Sequence, residues 1–288
     1  MSENPQLTVM YRPECVAPAQ GITSPSAAKP GKVVAAWREA GLPLRLLAPR
    51  PATVDELSLA HDRDYVEDVL ALRRANGFYT RDAAVAASLP YTTGAMLDGA
   101  RVAVAERTAV CAPMSGFHHA GWATGRGYCT FNGLMVTALA LRAAGLVERV
   151  AIVDCDAHYG DGTDDILERL GKPAWLRHYT AGETFNNRGR TPRFFTELDR
   201  AIAGFGDVDL VLYQAGADPH VNDPLGGLLT TEEMAERDRR VFAAAAAAKV
   251  PLVWCLAGGY QRDDDGGIGP VLALHHNTAL AHLAAFAR

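Results

Sequence analysis

Short apolar, β-branched runs alternate along the chain with longer stretches whose hydrophobic positions recur at helical spacing. The short runs are TVMY near the start, LRLLAP at 44–49, AVCAP at 109–113, VAIVDCDA at 150–157, LVLYQAG at 210–216 and LVWCLAGG at 252–259. Runs of this length bounded by turn residues read as buried strands. Helical patterns lie between them at about 54–76, 92–107, 132–145, 161–170, 231–248 and 270–287, several opened by Thr, Asp or Asn in N-cap position. This alternation predicts an α/β fold, a three-layer α/β/α domain with a mostly parallel central sheet. The alanine run ending at Lys249 is a strong helix former and needs no functional account. Segments 15–32, 173–193 and 217–229 are rich in Gly, Pro, Asn and Thr and read as long loops, which in such folds carry function. Neither an internal repeat nor an interdomain linker interrupts the pattern, so residues 1–288 read as a single domain.

Composition narrows the function class. With 49% hydrophobic and 21% charged residues the chain is ordinary globular material with enough apolar side chains for a large core. A net charge of -5 gives no basic field, which argues against a nucleic-acid partner. The five cysteines are odd in number, scattered and free of CxxC spacing, arguing against both a disulfide framework and a thiolate metal site. A reducing, cytoplasmic setting is therefore expected. The opening MSENPQLTVMYRPE lacks a basic region followed by an apolar run, and no stretch reaches the roughly 18 apolar residues of a membrane span.

Candidate chemistry concentrates at the ends of the apolar runs. In AIVDCDAHYGDG, Asp154, Asp156 and His158 occupy alternate positions at the end of a strand and so project to one side. The plain alternative is an Asp-rich loop capping the next helix. Against it, three ionisable groups on an apolar strand are costly to bury without a metal or a partner. Asp218, just beyond LVLYQAG, either turns the chain before Pro219 or completes a metal site with Asp156 and His158. Three such ligands leave an open position, as catalytic zinc sites do, and iron(II) would fit them too. His118 and His119 follow AVCAP in the small-residue loop SGFHHAG, where an imidazole could fill the core or act as a general base. Tyr260, in LAGGY, either packs at a Gly-Gly turn or donates to an oxyanion.

The order of these clusters resembles the histone deacetylase superfamily, which includes acetylpolyamine amidohydrolases and acetoin-utilisation proteins. The resemblance runs through PATVDELSLAHDRDYVEDVL, SLPYTTGAMLDGARVAV, SGFHHAGWATGRGYCTFNG, IVDCDAHYGDGTDDIL, YQAGADPHVNDPLGG and LAGGY, and is nearest in motif to class IV members and their bacterial relatives. It implies the arginase/deacetylase type of fold and zinc bound by Asp156, His158 and Asp218. It further implies that His119 is general base and then acid, oriented by Asp161, that His118 stabilises charge, oriented by Asp154, and that Tyr260 serves the oxyanion. A structural potassium ion near the backbone of Asp154, Asp156 and His158 follows from the same resemblance. So do a substrate channel walled by Gly127, Tyr128 and Phe185, and a residue beside its mouth, Leu225. Two departures stand out. Tyr159 replaces a second histidine, and Lys32, in KPGKV, stands where relatives carry an arginine on the internal route for the acyl product. Lysine lacks arginine's planar fork.

The function these features imply is hydrolysis of the amide of an acyl-lysine in a protein or peptide. Two other readings are weighed against it: hydrolysis of small acylated amines such as acetylpolyamines, and a catalytically silent acyl-lysine binding protein. Acyl-chain length depends on cavity depth, which spacing does not encode.

Overall fold

The computed structural model describes residues 6–18 and 24–287. Part of the expected 15–32 loop, residues 19–23, and the first five residues of the opening segment lie outside the described residues. Among the described residues, seven strands form one sheet: β1 (Leu7–Met10), β2 (Leu44–Leu47), β3 (Ala109–Cys111), β4 (Val150–Asp154), β5 (Leu176–Thr180), β6 (Leu210–Gln214) and β7 (Leu252–Cys255). Their order is β2-β1-β3-β7-β6-β4-β5 and every pairing is parallel. The helices are α1 (Lys29–Glu39), α2 (Val54–Leu57), α3 (Arg63–Leu70), α4 (Ala83–Glu106), α5 (Gly133–Ala143), α6 (Asp161–Arg169), α7 (Thr191–Ala203), α8 (Thr231–Ala248) and α9 (Gly269–Ala285).

Side-chain alternation along the strands sorts the core into two layers. Ala151 and Val153 of β4, Val211 and Tyr213 of β6, and Trp254 of β7 face a cluster built with α1, α7, α8 and α9. Val150 and Ile152, Leu210 and Leu212, and Val253 face the other cluster, built with α2 to α6. A sheet covered on both faces is why these strands read as continuous apolar runs. The predicted caps are in place: Asp62, Asp82 and Asn132 accept from backbone N–H groups of α3, α4 and α5, and Thr53 and Thr230 form capping boxes.

The structure departs from the sequence-based reading at several elements. Strand β5 and the start of α7 occupy what was expected to be the loop 173–193. In β5 (LRHYT) only Leu176 is fully buried, so the edge strand lacks the apolar run of its neighbours. Helix α1 begins inside the expected 15–32 loop because its Pro30 sits in the first helical turn, where a missing N–H costs nothing. Helix α4 starts near residue 83 rather than 92 and carries Pro90 within it. The pattern at 54–76 is two short helices, α2 and α3, with a turn after them. Among the described residues no helix is long and apolar enough to cross a membrane.

His61 ties the two halves of the α2–α6 layer together. Its Nδ1 meets Gly121 O at 2.9 Å, and its Nε2 accepts from Asn132 N–H at 2.8 Å. Those partners fix the neutral tautomer, and burial pushes the imidazole down to about 4. An unfolded histidine titrates near ~6.5, so the folded chain takes up this proton later than the unfolded one. Stability is therefore complete above pH ~6.5 and is lost as pH falls from there toward about 4. The full effect is about 3 kcal/mol. Urea unfolding at pH 7.5 and pH 5 should show this loss, and His61→Gln should flatten the dependence. An equal slope in both proteins would contradict it.

Candidate active site

Four adjacent strands in the middle of the sheet, β3, β7, β6 and β4, deliver the candidate catalytic and metal-binding residues from their carboxyl ends, where parallel sheets bind ligands. Asp154 closes β4, on the α5 side of the sheet with Val150 and Ile152. Strand alternation runs one residue further, to Cys155 on the opposite face. Beyond it the chain turns, with Asp156 N–H donating to Asp154 Oδ1 at 3.1 Å and His158 N–H to Asp156 Oδ1 at 2.9 Å. It is this turn that brings Asp156 and His158 to Asp218.

His158 Nδ1 lies 3.0 Å from Asp156 Oδ1 and 3.1 Å from Asp218 Oδ2. One donor atom from each of the three residues lies within 4.8 Å of the others, a grouping that could hold a metal ion. Both carboxylates are buried. Burial, and then the Asp156 charge, push the Asp218 carboxyl up to about 7, while hydrogen bonds to the two carboxylates push His158 up to about 11. Such a pair of anions calls for a cation among them. The surrounding backbone leaves room for one only because it is glycine. A Cβ on Gly258 would lie 2.2 Å from Asp218 Oδ2 and 2.8 Å from Asp156 Oδ2, and one on Gly216 would lie 2.6 Å from Asp218 Oδ1. The donor set, two carboxylate oxygens and one imidazole nitrogen, suits zinc or iron(II).

The histidine pair stands beside this group. His118 Nδ1 is 2.7 Å from Asp154 Oδ2, and His119 Nδ1 is 2.7 Å from Asp161 Oδ1. Asp161 opens α6, where the helix dipole favours an anion. The loop carrying the pair is clamped by Asn132 Nδ2 on Ala120 O, Thr163 N–H on His118 O and His61 on Gly121 O. The two imidazoles are pushed in opposite directions. Burial opposes protonation of His118, but Asp154 and Asp156 outweigh it and push the group up to about 9. In His119, burial and the neighbouring His118 charge push the imidazole down, against the Asp161 hydrogen bond. Tyr260 lies with its ring centroid 6.5 Å from that of His158 and 6.2 Å from that of Tyr128. Gly127 packs on the other side, since a Cβ there would meet His119 Cδ2 at 2.6 Å.

The chain as a whole has counterparts among known proteins. A family model described as Histone deacetylase domain matches residues 25–189 and 191–267. The chain belongs to the histone deacetylase family. An uncharacterized protein of Picosynechococcus sp. (strain PCC 7002) is 28% identical over 233 residues, 72% of this chain and 76% of that protein. Histone deacetylase 2 of Arabidopsis thaliana is 31% identical over 169 residues, and acetoin utilization protein AcuC of Staphylococcus aureus (strain MRSA252) 33% over 138. Those alignments cover 51% and 42% of this chain, and less than half of each relative, 43% and 34%. The crystal structure of the HDA15 HD domain has the same fold, with a TM-score of 0.78 and 19% identity over 99% of this chain and 91% of that one.

Within this histone deacetylase domain, some expected placements need correction. Lys32 is exposed on α1, whereas Lys29, at the helix start, is fully buried. Lys29 Nζ donates to Ala257 O at 2.5 Å and Gly258 O at 3.2 Å, beneath the carboxylates. The cation under the site is thus Lys29, because the first residue of α1 reaches the end of β7 and the residue one turn later faces solvent. Burial pushes its ammonium down to about 8. Phe185 is 3% exposed and packs edge-on to Phe194 at 5.7 Å, held by its N–H on Ala181 O. It is part of the α7 core rather than an open wall, and Tyr128 packs near Phe78, at 5.7 Å between ring centroids, and near Tyr260. Leu225 is exposed on the loop after β6. The Tyr159 hydroxyl donates to Asp164 at 2.5 Å, away from the metal group. Lys29, Gly216 and Gly258 were not singled out by motif. Only their close approaches in the folded chain reveal them.

If Gly258 keeps space for the two carboxylates and a cation, Gly258→Ala should weaken retention of a divalent ion on the order of 10- to 100-fold. Metal titration of the folded variant, checked by circular dichroism, reads this out. Unchanged affinity would show that the glycine serves only the backbone.

Proposed function

We propose that this chain is a zinc-dependent deacylase that hydrolyses the amide of acyl-lysine in proteins or peptides. The observation that carries the reading is the arrangement of two adjacent histidines, each with Nδ1 2.7 Å from its own carboxylate, beside the buried Asp156, His158 and Asp218 group, with His118 pushed up and His119 pushed down. Two titratable neighbours pushed in opposite directions mark an acid–base assignment. The relatives named histone deacetylase and acetoin utilization protein support the same chemistry.

Asp156, His158 and Asp218 would hold the zinc. When bound there, zinc supplies Lewis acidity, polarising an amide carbonyl and raising the acidity of water. Iron(II) satisfies the same donors. His119 has Nδ1 committed to Asp161, so its other nitrogen takes the proton of the attacking water and returns it to the leaving amine. His118 keeps a positive charge where negative charge develops. Burial pushes the Tyr260 phenol well above its ordinary range, so it stays protonated and donates to the oxyanion. Gly127 and Tyr128 border the path of the acyl-lysine side chain, with Leu225 at its mouth. The structural potassium ion near Asp154, Asp156 and His158 belongs to the same reading. Five buried free thiols fit operation in the reducing cytoplasm.

Lysine peptides carrying acetyl, octanoyl or myristoyl groups should be hydrolysed by the protein as purified, inert after metal stripping, and hydrolysed again after zinc is restored. Retained activity in stripped protein would contradict the reading. Turnover of small acylated amines with all lysine peptides inert would replace the substrate class. His119→Ala should lose on the order of 100- to 10,000-fold in kcat, with zinc content unchanged. A loss confined to KM would remove His119 from proton transfer.

A further inference from the structure

Asp223 has no part in the roles assigned so far, yet it is 6% exposed and carries three hydrogen bonds from backbone N–H groups. Its Oδ2 accepts from Tyr260 N–H at 2.7 Å and Gln261 N–H at 3.1 Å, and its Oδ1 accepts from Leu225 N–H at 3.0 Å. These donors come from two loops more than thirty positions apart in sequence, since Asp223 and Tyr260 are separated by 37 residues. Burial alone pushes the carboxyl up, and the N–H bonds oppose that.

The loop after β6 is built to hold Asp223 still. Asp223 N–H donates to His220 O at 3.0 Å, Gly227 N–H to the same oxygen at 3.1 Å, and Gly226 N–H to Asp223 O at 3.1 Å. Gly226 fits because it lacks a Cβ, which would lie 1.9 Å from Asp218 O. Asp218 and Asp223 therefore belong to one tight turn. The segment it grips is different. Residues 256–262 form neither helix nor strand, and within them Ala257 has φ 51° and Gly259 φ 143°. Such backbone keeps its shape only when surrounding groups determine it. The backbone N–H groups of Tyr260 and Gln261 both donate to the Asp223 carboxylate.

We propose that Asp223 is the positioning residue of Tyr260, fixing the turn that places the phenol beside His158 and tying that turn to the rim at Leu225. The inference rests on the reading of Tyr260 as oxyanion donor. Without the carboxylate, three backbone N–H groups lose their acceptor and the phenol drifts. A misplacement of about 1 Å can cost on the order of 100-fold in rate. The metal group keeps its own donors, so zinc content is unaffected.

The test uses zinc-loaded full-length protein and the acetyl-lysine peptide, with kcat and KM measured for Asp223→Ala, Asp223→Asn, Tyr260→Phe and each Asp223 change combined with Tyr260→Phe. Asp223→Ala should lower kcat roughly 10- to 100-fold, with KM within about threefold of the parent and bound zinc unchanged. Asp223→Asn should lose less. Its amide oxygen still accepts from Tyr260 and Gln261, but its NH2 group opposes Leu225 N–H. In the Tyr260→Phe background either Asp223 change should cost nothing further, because the group it positions is gone. The proposal is overturned if Asp223→Ala keeps kcat within about twofold of the parent, if the loss recurs undiminished in the Tyr260→Phe background, or if only KM changes. Should the alanine variant not fold, Asp223→Asn decides alone, and an unaltered kcat or an equal loss in both backgrounds overturns the proposal. Tyr260→Phe as active as the parent would refute the role of Tyr260 itself. A slow Tyr260→Phe beside a fast Asp223→Ala would refute only that of Asp223.

Discussion

The carboxylates of Asp156 and Asp218 meet where an apolar parallel sheet ends, with almost no solvent to screen them, and much of the surrounding structure answers that concentration of charge. His158 lies between them, His118 adds a cation 3.7 Å from Asp156, and Lys29 reaches up from α1 to the carbonyls below. Gly216 and Gly258 keep side chains out of the space the two anions occupy. Buried charge of this kind is expensive unless paired or metal-bound. A fold that retains it has a use for it.

The same constraint explains how the histidines divide their work. His118 points at Asp154, which is wholly buried and also receives Gln214 Nε2 at 3.0 Å and Asp156 N–H, so its imidazole sits in the negative field of the sheet end. His119 is one residue further along, paired instead with a carboxylate at the half-exposed start of α6 that Arg126 also contacts. Burial, and then the neighbouring His118 charge, push its imidazole down. Two adjacent residues of one sequence type are thereby pushed in opposite directions by the elements they face.

Five of the six legible strands lie inside a sheet whose covered faces force apolar runs, and the sixth, β2, at one edge, keeps three leucines. Strand β5 escaped because it is an edge strand with Arg177 and His178 at its centre, and α1 and α7 escaped because Pro30 and Pro192 in their first turns read as loop. The candidate site was legible where chemistry sits in local motifs: Asp154, Asp156, His158, Asp218 and the histidine pair. What stayed hidden acts over long separations. Lys29 contacts residues 228 and 229 positions away, so nothing near it in sequence announces the contact, and Lys32 in the same helix was the more visible lysine. Phe185 shows the converse, an aromatic in a functional-looking loop whose ring belongs to the α7 core.

The central claim is that Asp156, His158 and Asp218 hold a zinc ion. Anomalous diffraction from crystals of the purified protein, with data on either side of the zinc absorption edge, tests it without depending on any substrate. One strong peak is expected about 2.0–2.2 Å from a His158 ring nitrogen and from carboxylate oxygens of Asp156 and Asp218. A zinc-soaked crystal with no peak at these three residues, or with its peak elsewhere on the protein, would contradict it.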